Sequence, residues 1–155
     1  MFGQILLALA FAAVLFLINR FSWTKASYQM TLVRDGDSIR ITGEKQIAEC
    51  RINGYDAPEW SQPHGTAATA ALKTLLNDGY RWKAVDVDPY GRVVIEVRNA
   101  KGSIARQMVA AGYGHNAANW GTQQFIARLL RRGLWSTSNA VHPATYRAIT
   151  PRNAR

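Results

Sequence analysis

The run Arg51-Ile52-Asn53-Gly54-Tyr55-Asp56-Ala57-Pro58-Glu59 puts one arginine and two carboxylates within nine residues, on a turn that Pro58 stiffens. Asp35-Gly36-Asp37 lies just upstream, and Asp88-Pro89-Tyr90-Gly91-Arg92 lies downstream. Carboxylates beside arginines are what a site needs if it must hold a hard cation and a phosphate together. That pattern points to phosphodiester hydrolysis.

The elements that would position these residues are legible from periodicity. Residues 28–34 and 38–42 alternate as two strands around the Asp35-Gly36-Asp37 turn, and a third strand covers 45–53. A loop runs over 54–63. Ala68, Leu72, Leu75 and Leu76 mark a first helix over 66–76, stopped by Asn77-Asp78-Gly79. Residues 80–87 and 92–98 read as strands four and five, joined tightly through Pro89-Tyr90-Gly91. Residues 104–111 form a second helix and 122–132 a third, with Phe125, Ile126, Leu129 and Leu130 on one stripe and Gly133 as its stop. The segment from Ser136 onward is basic and contains proline, so it reads as a loosely held tail. Five short strands with a helix between the third and fourth predict an α+β fold. Its centre is a small closed five-stranded barrel of the OB type, packed by about three helices and preceded by one N-terminal hydrophobic helix.

Composition agrees with one folded domain that meets an anion. The chain has 155 residues, 48% of them apolar, with five Trp, which argues against disorder. Its net charge of +9 favours nucleic acid or an acidic membrane surface. All ten acids lie between Asp35 and Glu96, and nine Lys/Arg with no acid follow Glu96. The single cysteine, Cys50, has no partner for an intrachain disulfide. It reads as a packed thiol rather than a nucleophile, because no histidine is near it in sequence.

The sequence resembles the staphylococcal nuclease (thermonuclease) family. Five blocks match in order: Val33-Arg34-Asp35-Gly36-Asp37-Ser38, residues 51–59, Gln62-Pro63-His64-Gly65, residues 88–92 and Gly133-Leu134-Trp135. The likeness covers residues 28–135. It implies calcium-dependent hydrolysis of DNA and RNA with low sequence specificity, leaving 3′-phosphate ends. It also implies roles. Asp37 and Asp56 match the carboxylate ligands of Ca²⁺, and the backbone carbonyl of Ala57 stands for a further oxygen ligand. Glu59 matches the general base, while Arg51 and Arg92 match the arginines that grip the reacting phosphate. Ser38 and Ala57 stand where the family often has Thr, and Pro89 stands where a lysine often precedes Tyr-Gly-Arg.

Plainer readings exist for each residue. Asp35 reads as a turn former beside the ligand Asp37. Glu59 after a proline could be a loop acid or a helix cap. Arg51 and Arg92 could make structural ion pairs with Asp37, Asp56 or Asp88. Chance would have to reproduce the whole constellation for all these readings to hold together. Tyr90 and Trp120 are candidate substrate contacts by base stacking, against edge packing for Tyr90 and a structural role at the head of the third helix for Trp120. His64, His115 and His142 lack zinc-ligand spacing. Arg128, Arg131 and Arg132 read as a solvated helix face, with phosphate or lipid headgroups as the alternative. A non-catalytic OB-type module tethering nucleic acid to a membrane is the rival functional class.

Residues 2–18 carry no charge and are almost wholly apolar. As a helix they would span roughly 25 Å, near the lower limit for a bilayer. Residues 1–19 are therefore read as a membrane anchor or signal segment, 20–27 as a linker, 28–136 as the catalytic domain and 137–155 as the tail. Arg20, Lys25 and Arg34 follow the span with nothing basic before it, which favours a cytoplasmic domain. Calcium chemistry favours the extracytoplasmic side, and that placement is the expectation adopted. The expected partners are DNA or RNA and the membrane, with a monomeric protein.

Overall fold

The computed structural model describes residues 29–43 and 47–150. The anchor or signal segment, the linker and residues 151–155 of the tail lie outside the described residues. Among the described residues no helix is long and apolar enough to cross a membrane.

Period-two alternation builds the sheet. In β2 (Ser38–Thr42), Ile39 and Ile41 point inward; in β3 (Ile47–Ile52), Ala48, Cys50 and Ile52 do; in β6 (Val93–Asn99), Val93, Ile95 and Val97 do. β1 (Gln29–Val33) pairs antiparallel with β2, β2 with β3, and β5 (Arg81–Val87) with β6. β3 and β6 pair in parallel, giving the order β1-β2-β3-β6-β5. Short strands β4 (Tyr55–Asp56) and β8 (His115–Asn116) pair with each other, and β7 (Gly102–Ser103) pairs antiparallel with the end of β6. The architecture is α+β, with a curled OB-type sheet.

A closed barrel was expected, but among the described residues no ladder joins the edge strands β1 and β5. The edges meet through a side chain: the Met30 N–H donates to the Tyr80 hydroxyl at 2.9 Å.

The described residues hold four α-helices. Helix α1 (Gly65–Asn77) buries Ala68, Leu72 and Leu76 at four-residue spacing, a single inward stripe. Helix α2 (Ile104–Ala110) buries Ile104, Ala105, Met108 and Val109, and Ser103 Oγ caps it by accepting from the Arg106 N–H. Helix α3 (Gly121–Leu129) leaves the stripe read from sequence open to solvent. Its one buried residue is Ala127, whereas Phe125 is 66% and Leu129 70% exposed. The small Ala127 lets α3 lie close against α2, which turns the larger apolar side chains outward. The tail is also not loose through residue 150. Pro143 starts helix α4 (Pro143–Ile149), capped by His142, whose ring Nδ1 accepts from the Ala144 N–H.

The register explains why distant motifs meet. Ser38 pairs with Arg51, so Asp37 arrives at the end of β3, and the Ile52 N–H donates to the Asp37 carbonyl at 2.8 Å. Arg51 lies opposite Val94 on the parallel partner. Arg92 is two residues before Val94, so it shares the sheet face of Arg51.

Candidate active site

The turn before β2 is built by Asp35, whose Oδ1 accepts from the N–H groups of Asp37 and Ser38 at 3.0 and 2.7 Å. A side chain at Gly36 would put its Cβ 2.6 Å from that of Ala57 and 2.8 Å from that of Ala68. Only glycine lets this turn press onto both the β4 end and α1. Tyr55, wholly buried, reinforces the contact by donating its hydroxyl to the Gly36 carbonyl.

That turn delivers Asp37 into the interior, 4% exposed. Its Oδ1 accepts from Ser38 Oγ at 2.9 Å and from Arg51 Nη1 at 3.2 Å, while Oδ2 accepts from the Ala57 N–H at 2.9 Å. Arg51 Nη2 also donates to Asp56 Oδ1 at 2.6 Å. Arg51 therefore bridges two of the expected metal ligands, and Ala57 is tied to the first of them through its N–H.

Arg92 is aimed by Asp88. Asp88 Oδ1 accepts from the N–H groups of Tyr90 and Arg92, each at 2.9 Å, and Oδ2 accepts from Arg92 Nε at 2.7 Å. Tyr90 is 83% exposed, with the Arg92 guanidinium 5.8 Å from its ring centroid.

One cavity of about 590 Å³ gathers these groups: Asp37, Arg51, Glu59, Tyr90 and Arg92 line it, with Arg147 from α4. Asp56 lies beside them, held by Arg51 and Arg147. Trp120 does not join them. It heads α3 and lines a separate depression beside Asn53 and Gly54. A Cβ on Gly54 (φ 99°) would come within 3.1 Å of the Trp120 indole nitrogen, so the ring packs directly on the loop backbone.

The comparison with known proteins agrees with the geometry. Residues 49–137 match the model of the family described as staphylococcal nuclease homologue. The chain belongs to that family. It is 32% identical over 127 residues to an Escherichia coli protein described as an uncharacterized endonuclease, covering 74% of this chain and 80% of the relative. It is 25% identical over 154 residues to a Shigella flexneri protein described as a micrococcal nuclease, covering 88% of each. The chain is thus a hydrolytic nuclease, a phosphodiesterase. Asp37 precedes the matched segment and Arg147 follows it, yet both meet in the cavity of the nuclease.

Arg147 is the functional-site residue that sequence reasoning missed. Its Nη1 donates to Glu59 Oε1 at 2.6 Å and its Nη2 to Asp56 Oδ2 at 3.0 Å. The segment carrying it is clipped down by Gln62, 4% exposed. Gln62 Nε2 donates to the Val141 carbonyl at 2.6 Å, and its Oε1 accepts from the Glu59 N–H at 3.2 Å. No periodicity links residue 147 to residue 59. The available signal was weaker: Pro143 after a cap-competent His142, which marks a helix start.

The electrostatics follow from burial and pairing. Burial, with the charges of Asp35 and Asp56, pushes Asp37 up to about 7 although Arg51 pulls it down. Burial would also raise Asp56, but hydrogen bonds and charge from Arg147 and Arg51 outweigh it and hold the group below the usual carboxylate range. Behind Asp56, His115 is pushed down to about 4 by burial and by its neighbour His142, with ring centroids 4.4 Å apart. Burial raises the Cys50 thiol to about 12, which leaves it unreactive.

Among the described residues no group of three or more His, Cys, Asp or Glu could by itself hold a metal ion. Asp37 and Asp56 offer hard oxygen donors of the kind Ca²⁺ or Mg²⁺ takes, and such ions complete their shells with water and substrate oxygens. Both carboxylates border the same cavity, Asp37 as part of its lining and Asp56 beside it. The donor set fits a hard dication.

Proposed function

We propose that this nuclease is calcium-dependent and hydrolyses DNA or RNA with little sequence preference, leaving 3′-phosphate ends. The observation that carries the reading is the convergence of Asp37, Arg51, Glu59 and Arg92 on one open cavity. The lining is suited to a phosphodiester rather than to base edges, and Tyr90 offers a sequence-tolerant stacking face.

Asp37, Asp56 and the Ala57 carbonyl would hold the Ca²⁺, which when bound polarises the phosphoryl group and acidifies water. Arg51 and Arg92 meet the phosphate oxygens as their charge grows in the transition state, and the planar guanidinium matches two oxygens at once. Glu59 accepts the proton of the attacking water. The 3′-phosphate products follow the family likeness. The apolar segment 2–18 would tether the domain to a membrane, on the extracytoplasmic side.

The test is digestion of single- and double-stranded DNA and of RNA with Ca²⁺ or with chelator, followed by end-group analysis of the products. Ca²⁺-dependent cleavage leaving 3′-phosphates is expected; undiminished activity in chelator would remove the metal from the mechanism. Fractionation and protease accessibility in cells test the tether and its side.

A further inference from the structure

The three arginines of the cavity divide its carboxylates. Arg51 serves Asp37 and Asp56, Arg92 serves Asp88, and Arg147 serves Asp56 and Glu59. Among the described residues Arg147 is the one cation bonded to Glu59.

Its support is built. Pro143 is buried at the start of α4, and Arg147 follows it by four residues, on the same helix face. The Gln62 clip to Val141 and the 3.1 Å contact between the Ser61 and Tyr146 hydroxyls tie this segment to the loop that carries Glu59. Loop and helix are therefore fastened to each other at two points beside the ion pair.

We propose that Arg147 is a positioning residue for the hydrolysis: it holds Glu59 through Oε1, so that Oε2 is aimed as the proton acceptor. The proposal rests on the reading of Glu59 as general base. A glutamate on a loop has free rotamers, and a base must lie within hydrogen-bond reach of the proton it takes. Misplacement by about 1 Å can cost on the order of 10²-fold in rate. Arg147 removes that freedom by spanning two carboxylates with one planar fork. A lysine, a point charge, cannot span both in the same way.

The test uses the full chain with Ca²⁺ and a defined DNA duplex. The variants are Arg147→Ala, Arg147→Lys, Glu59→Gln and the double variant Glu59→Gln/Arg147→Ala, each checked for native circular dichroism. Arg147→Ala is expected to lower kcat by roughly 10- to 100-fold with KM changed less than about threefold. Arg147→Lys should restore only part of the loss, and in the Glu59→Gln background Arg147→Ala should add little. Should Arg147→Ala fail to fold, Arg147→Gln replaces it with the same expectation. Unchanged or raised kcat, a loss confined to KM, or an equal loss in the Glu59→Gln background would overturn the proposal while leaving the base intact. Near-full turnover of Glu59→Gln would instead remove the base, and the positioning role with it.

Discussion

Arg51 and Arg147 both grip Asp56, yet they reach it from supports of different kinds. Arg51 belongs to a strand hydrogen-bonded on both sides, to β2 and to β6, so its place is set by backbone register. Arg147 comes from a seven-residue helix and meets Glu59 across 88 residues of chain through side-chain contacts. The sheet-borne half (Asp37, Arg51, Arg92) can hold its shape without α4. The helix-borne half depends on a few polar clips whose individual worth is about 1 kcal/mol. On the proposed mechanism, phosphate gripping would fall to the rigid half and aiming of the base to the adjustable one.

The comparison is most exposed to Arg51→Ala. Turnover is expected to fall by roughly 10³-fold or more, as for a guanidinium that meets transition-state charge. The same change strips a cation from two buried carboxylates, so urea denaturation should show a stability loss of about 3 kcal/mol. A stable variant with near-normal turnover would mean the sheet-borne half is scaffold only.

Arg92→Ala comes next, at roughly 10²-fold in kcat with little stability change, since its pairing to Asp88 is partly open to solvent. Asp88→Asn should cost about tenfold, because Asp88 aims Arg92 without itself needing to reach the phosphate. Equal losses in the two variants would make Asp88 a participant in its own right.

How far such residues can be read from the chain follows the same division. Strand alternation and the turns at Asp35-Gly36-Asp37 and Pro89-Tyr90-Gly91 are local signals, so β1 to β3, β5 and β6 are placed within a few residues of their bounds. β3 carries Arg51, and the turns leading into β2 and β6 carry Asp37 and Arg92. The apolar stripe of α3 misled, because periodicity marks a face without saying whether anything covers it, and the small Ala127 turned out to be the contact. Trp120 was a candidate by position along the chain, and the fold sets it beside Gly54, lining a depression apart from the cavity. Arg147 was invisible: it sits in a basic, proline-containing stretch, and its partners are set by tertiary docking that no local pattern records. The β1–β5 edge was likewise beyond reach, since closing a sheet depends on how far it curls.

A smaller effect separates the halves by pH. Asp37, pushed up to about 7, sits above the ordinary value of 3.8 for the free group. Its folded form therefore favours the protonated state. The stability this contributes is full below about 4 and is lost as pH rises through about 7. Metal-free protein should accordingly lose melting temperature across that interval, and Asp37→Asn should flatten the slope while abolishing cleavage. A slope unchanged in Asp37→Asn would assign it to other groups.

Tyr146→Phe is the mildest probe and the most informative about the adjustable half. It removes only the hydroxyl contact with Ser61, at a partly open position. The stability change should stay within about 0.5 kcal/mol, as for an exposed polar contact. Turnover should stay within about twofold if the Gln62 clip to Val141 is enough to seat α4. A larger kcat loss with unchanged melting temperature would show that the helix must be held at both points for Arg147 to keep Glu59 in line. The helix-borne half would then be as exacting as the sheet-borne one, though far less stable.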